Sequence, residues 1–99
     1  MQFVFGECVL DTDRREFSRR GEAVTVGPQV FDLLIHLIEN RDRVVSKDEL
    51  FDVIWRGRIV SDSTLTSHVN FARRAIGDTG EAQRLIRTIA RKGFASLAT

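Results

Sequence analysis

Cysteine, proline and tyrosine are nearly or wholly missing from this 99-residue chain, which has one, one and none of them. A lone Cys8 cannot close an internal disulfide, so the fold must rest on apolar burial, and the expected compartment is reducing cytoplasm. Long apolar runs are missing as well. The longest candidate is broken by Asp32 and His36, short of the roughly 18 residues that a bilayer span needs. The opening stretch, Met1 to Glu7, has no positive region of the secretory kind. No membrane is expected as a partner. His36 and His68 fall on different helical segments with no further ligand at metal spacing, so no metal or other cofactor is expected. Gly77 and Gly80 lack the strand, lysine and spacing of a phosphate-cradling loop. Asp11 with Asp13 reads as a turn and Asp48 with Glu49 as helix-start charge, so no enzyme is expected.

A surplus of one charge is also missing overall. Fifteen Lys and Arg stand against fourteen Asp and Glu, a formal net charge of +1. Divided along the chain, the balance is −1 over residues 1–27, −3 over 28–55 and +5 over 56–99. A near-neutral chain is therefore polarised, with an acidic middle and a basic end. The hydrophobic content of 42% suffices for one modest core. A single domain over residues 1–99 is expected.

Short apolar segments at Phe3-Val4-Phe5, Cys8-Val9-Leu10, Glu16-Phe17-Ser18 and Ala23-Val24-Thr25-Val26 predict a four-stranded antiparallel meander over residues 3–26. Gly21 suits the last tight turn, because glycine reaches positive φ without a Cβ clash. At Gly27-Pro28 the period changes to that of a helix. Pro28 fits a first helical position, and Val30, Phe31, Leu34, Leu37 and Ile38 form an apolar stripe over residues 28–39, with Asn40 as the closing cap. Val44-Val45 is strand-like. Ser46 and Glu49 match a capping box, in which serine hydroxyl and glutamate satisfy each other's free backbone donors, for a helix over residues 47–55. Ser61-Asp62-Ser63 caps a third helix over residues 62–76, with Leu65, Val69, Ala72 and Ile76 facing inward. Segments 85–89 and 94–97 flank Ala90-Arg91-Lys92-Gly93, which reads as a β-hairpin with a basic tip over residues 85–97.

At 100° per residue, Ser63, Ser67, Asn70 and Arg74 fall opposite the Leu65 stripe, with Thr66 and Phe71 on the flanks. That face has no carboxylate. It offers hydroxyls, an amide, a guanidinium and an apolar ring, groups that reach base edges and thymine methyls in a major groove. Two helices, a short turn and a hairpin tipped by Arg91 and Lys92 follow the order of a winged helix-turn-helix, an α+β fold. A basic tip fits the minor groove. Arg56, Arg58, Arg73, Arg84 and Arg87 are candidate phosphate contacts, which position a protein without reading sequence.

Pro28 to Leu34, the block Arg43 to Leu50 ending in Trp55, His68-Val69 with Arg73-Arg74, and Ile86 to Ile89 with Gly93-Phe94 together resemble the OmpR/PhoB-type winged-helix DNA-binding domain over residues 3–97. The resemblance implies sequence-specific binding of double-stranded DNA in bacterial transcription regulation. It implies groove-facing roles for Ser63, Thr64, Ser67, Asn70, Phe71 and Arg74, and a wing contact at Arg91-Lys92. It also makes residues 56–60, with Arg56, Arg58 and Ile59, a candidate RNA polymerase contact, and allows tandem association on direct repeats. Asn70 and Phe71 stand where many members carry arginine, and the family's Gly-Tyr-Arg-aromatic ending is here Gly93-Phe94-Ala95-Ser96. The alternative is therefore a winged-helix protein-interaction module that has lost specific DNA binding. Most members carry a receiver domain first. The sheet opening at Met1 looks more like members with the DNA-binding domain first, whose further regions would lie beyond Thr99.

Overall fold

In the first three of four short strands at the start of the chain, alternate side chains turn inward, and this makes the first sheet a lid on the helices. In the computed structural model, which describes residues 1–78, 85–89 and 92–96, β1 (Gln2–Phe5), β2 (Cys8–Asp11), β3 (Glu16–Arg19) and β4 (Glu22–Ala23) form an antiparallel sheet in sequence order. Phe5, Cys8, Leu10 and Phe17 point into the core, while Val4 stays exposed. Arg20 and Gly21 both take positive φ, 54° and 78°, which is the tight hairpin turn expected at Gly21. The last strand is shorter than the expected 23–26. By the register that pairs Ser18 with Ala23, Val24 still donates to the Phe17 carbonyl at 2.9 Å, whereas Val26 falls beyond the start of β3 at Glu16. Val24 and Val26 nonetheless pack against the core.

Three helices follow, each opened by the signal its sequence carries. Helix α1 (Pro28–Glu39) starts with proline at its first position and ends on Asn40, whose side-chain amide donates to the His36 carbonyl at 2.8 Å. Helix α2 (Lys47–Trp55) is capped by Ser46 Oγ, which accepts from the Glu49 amide at 3.1 Å. The capping box is only half formed. The Glu49 carboxylate turns away from the Ser46 amide and accepts from Arg43 at 2.7 and 2.8 Å and pairs with His36 Nε2. Helix α3 (Asp62–Ala75) is capped by Ser61, which accepts from the Thr64 amide at 3.2 Å. Its far end is held by Arg19 of the sheet, whose Nη1 donates to the Arg74 carbonyl at 3.2 Å.

The chain closes with the hairpin β5 (Ile86–Ile89) and β6 (Gly93–Ser96). The strand-like Val45 supplies the edge that fixes it. Val45 and Phe94 exchange backbone hydrogen bonds of 2.8 and 2.9 Å, so the wing is tied to the residue just before the α2 cap. Gly93 permits this approach: it has φ +146°, and a Cβ there would lie 1.9 Å from the Val45 carbonyl oxygen. Leu10, Leu33, Leu37, Leu50, Leu65 and Val69 are fully buried between sheet and helices, with Cys8 beside them as a small hydrophobe. Trp55 packs edge-on against His68, ring centroids 5.1 Å apart, and joins α2 to α3 as core rather than as a stacking platform. The architecture is the winged helix-turn-helix that the order of elements implied.

Candidate nucleic-acid interface

Apolar residues at Leu65, Val69, Ala72 and Ile76 pin one side of α3 to the core and so decide what its other side presents. Ser63, Thr66, Ser67, Asn70, Phe71 and Arg74 are exposed, and Thr64 is half-buried. The Ser63 and Thr64 hydroxyls lie 3.0 Å from Ser61 Oγ, so both belong to the polar cluster at the helix start. Phe71, 53% exposed, lies under the Arg74 guanidinium, whose carbon is 4.7 Å from the ring centroid. An exposed aromatic beneath a cation holds the guanidinium extended and leaves its N–H edges outward.

Arg73 departs from the expectation that it contacts phosphate. It is only 5% exposed, and its guanidinium is spent on protein groups: Nε on the Ile86 carbonyl at 3.2 Å, Nη1 on Asn70 Oδ1 at 3.2 Å and Nη2 on Thr88 Oγ1 at 2.7 Å. Burial lowers its pKa from the usual arginine range, and the nearby charge of Asp78 opposes that shift. The signal was available, because Arg73 follows Val69 by four residues and precedes Ile76 by three, on the inward stripe. Its physical effect is to stitch the exposed face of α3 to β5 of the wing.

Asp78 is a second residue that the sequence pattern does not single out. It is 3% exposed, and its Oδ2 accepts from the Leu85 and Ile86 amides at 2.8 and 3.0 Å, which anchors the start of β5. A loop carboxylate beside Gly77 carries no pattern that separates such an anchor from a solvated charge.

Arg87 and Lys92 are exposed on the wing, and Arg56, Arg58 and Ile59 on the loop between α2 and α3. Arg91 of the expected tip and Arg84 lie outside the described residues. None of Arg56, Arg58, Arg74, Arg87 and Lys92 forms an ion pair with a described residue, whereas the ion pairs between described residues all join groups within residues 1–49. The chemistry available is thus a carboxylate-free helix face, with cations on the same part of the chain that have no carboxylate partner among the described residues. Among the described residues, no group of three or more His, Cys, Asp and Glu could hold a metal ion.

Residues 21–96 match the family model described as "Transcriptional regulatory protein, C terminal". The chain is 29% identical over 90 residues to the transcriptional activator CadC of Escherichia coli, covering 90% of this chain and 18% of CadC. It is 32% identical over 94 residues to the probable transcriptional regulatory protein TcrX of Mycobacterium tuberculosis, covering 94% of this chain and 39% of TcrX. It therefore spans well under half the length of these curated relatives. Among solved structures, the DNA-binding domain of E. coli CadC superposes with a TM-score of 0.81 at 26% identity, covering 100% of this chain and 96% of that one. The Klebsiella pneumoniae RstA DNA-binding domain, solved with its RstA box, gives 0.85 at 23% identity, covering 96% and 95%, a likeness of fold.

Proposed function

From the premise that the chain belongs to the OmpR/PhoB-type family of transcriptional regulatory domains, we propose that it binds double-stranded DNA sequence-specifically in the cytoplasm to regulate transcription, and that it is not an enzyme. Helix α3 enters the major groove and the wing tip the minor groove. One observation carries this reading: the exposed face of α3 is free of carboxylates and is joined through Arg73 to a wing whose Arg87 and Lys92 have no carboxylate partner among the described residues. The CadC domain of similar structure is a DNA-binding domain, which supports the same assignment. Ser63, Thr64, Ser67, Asn70, Phe71 and Arg74 are the groove-facing set, and Arg58, Arg87, Arg91 and Lys92 the phosphate and wing contacts.

Titration with a selected duplex and a random duplex at two salt concentrations tests the proposal. Tighter binding of the selected duplex, weakening steeply as salt rises, is the expected result, because each neutralised phosphate releases counterion. Absent or salt-insensitive binding overturns it. A rival, protein-interaction reading draws on the half-exposed Phe71. Arg74→Ala with Arg91→Ala separates the two, since unchanged duplex affinity would favour the rival.

Two finer assignments follow. The loop of residues 56–61 presents Arg56, Arg58 and a fully exposed Ile59, at 103% relative exposure, which suits a protein partner, and we assign it to RNA polymerase. Tandem copies on direct repeats gain avidity from their neighbours. A duplex with two half-sites is then bound more tightly than a duplex with one.

A further inference from the structure

The base preference of α3 can be narrowed from a single hydrogen bond, on the strength of the DNA-binding reading above. Asn70 is exposed in the stripe that also holds Ser63, Ser67 and Arg74. A free carboxamide has two faces: its oxygen accepts and its NH2 donates, and together they match the N6 and N7 edge of adenine. Here one face is committed. Arg73 Nη1 donates to Asn70 Oδ1 at 3.2 Å. A guanidinium has no acceptor, so the atom that meets it is oxygen, and the flip of the amide follows without any need to see hydrogens.

Arg73 cannot readily release that oxygen. The same guanidinium is held by the Ile86 carbonyl and Thr88 Oγ1 and is almost wholly shielded from water, so losing the Asn70 oxygen would leave a buried donor unpaired. The Asn70 NH2 has no hydrogen-bond partner among the described residues and points away from Arg73. A cation on the oxygen also polarises the amide and strengthens the NH2 as a donor.

We propose that Asn70 is a donor-only specificity residue, which selects a keto base, guanine through O6 and N7 or thymine through O4, and discriminates against adenine and cytosine. Adenine offers N7 as an acceptor, but its N6 amino group then faces a second donor, and cytosine presents only an amino group in the major groove. Arg73 is the positioning residue that enforces the choice.

Binding-site selection from a random duplex pool, run in parallel on wild type, Asn70→Ala, Asn70→Asp and Arg73→Met, tests this. The position whose preference disappears in Asn70→Ala is the one that Asn70 reads. Wild type is expected to enrich guanine or thymine there by at least about five-fold over adenine and cytosine, the low end of the cost of one mismatched pair. Asn70→Asp, which presents only acceptors, is expected to invert the preference to cytosine or adenine. Arg73→Met, shown to be folded by thermal unfolding, is expected to admit adenine at that position alone, a change that general loss of stability would not produce. If Arg73→Met does not fold, the two Asn70 variants decide. Enrichment of adenine or cytosine by wild type, an unchanged motif in Asn70→Ala, or a retained keto base in Asn70→Asp each overturns the proposal. A folded wild type that enriches no motif overturns the DNA-binding reading itself, an outcome distinct from failure confined to one base pair.

Discussion

Residues 1–55 and residues 56–96 treat charge in opposite ways. In the first region Arg15, Arg20 and Arg43 are each paired with a carboxylate, Arg19 and Arg41 donate to backbone carbonyls at helix ends, and of its seven Lys and Arg only Arg14 and Lys47 have no such partner among the described residues. In the second, among the described residues, Arg56, Arg58, Arg74, Arg87 and Lys92 have no ion pair and Arg73 alone is drawn inside. Charge satisfied within the chain builds a platform, whereas charge left unsatisfied remains available to a partner. The net charge of +1 conceals this division.

The largest effect is expected where the two regions are joined. Gly93→Ala places a Cβ 1.9 Å from the Val45 carbonyl oxygen at a φ that disfavours side chains. Both Val45–Phe94 hydrogen bonds must then open. Two such bonds and the strain together suggest a loss of about 3 kcal/mol in unfolding free energy, read by denaturant titration, with duplex binding lost as the wing detaches. An unchanged midpoint would show that the platform does not hold the wing.

The converse change leaves the join intact and removes three exposed cations from α3 and the wing. Replacing Arg74, Arg87 and Lys92 together by alanine removes exposed groups that have no ion pair among the described residues. Stability is expected to move by less than about 1 kcal/mol, since surface substitutions of this kind are individually near neutral. Duplex affinity is expected to fall by roughly 100-fold at low salt, with the slope of log affinity against log salt reduced by about one per lost phosphate contact. Equal losses of stability and affinity would erase the distinction between the regions.

Most of the fold was legible because its signals are local. Pro28, Ser46 and Ser61 each open a helix where expected, and Gly21 turns the hairpin. What was not legible depends on contacts distant in sequence. Glu49 reads as half of a capping box, yet its carboxylate answers Arg43 and His36. Val45 reads as a strand fragment whose partner, Phe94, lies at the other end of the chain. Arg73 and Arg74 are adjacent and chemically identical, and only helical phase separates the buried one from the exposed one. The exposed positions on α3 follow from phase alone. The orientation of the Asn70 amide does not, because it depends on which atom Arg73 meets.

A smaller effect tests whether the pairing in the first region matters to stability. The Arg43 guanidinium and the His36 ring hold Glu49 well below the ordinary carboxylate range, from 4.5 to about 2. A depressed carboxylate contributes stability that is present above its unfolded pKa and lost as pH falls through 4.5 toward 2. Because the side chain is partly exposed and screened, the contribution is taken as about 1 kcal/mol. Glu49→Gln is expected to lower the thermal midpoint at pH 7 and to flatten its decline between about pH 5 and 3. Parallel acid limbs in both proteins would mean that Glu49 is not part of the platform's acid sensitivity.

The smallest effect is expected at Ile59, on the loop just past the boundary between the two regions. Its side chain is fully exposed beside Arg58, so Ile59→Ser removes no packing, and stability should change by less than about 0.5 kcal/mol. The side chain has no charge, so duplex affinity and its salt slope are expected to stay as in wild type. What should fall is promoter-dependent transcription with purified RNA polymerase at saturating regulator. That outcome would divide the exposed second region into a DNA-facing part and a protein-facing loop. A drop in duplex affinity instead would merge the loop with the DNA interface and remove the reason to assign it a protein partner.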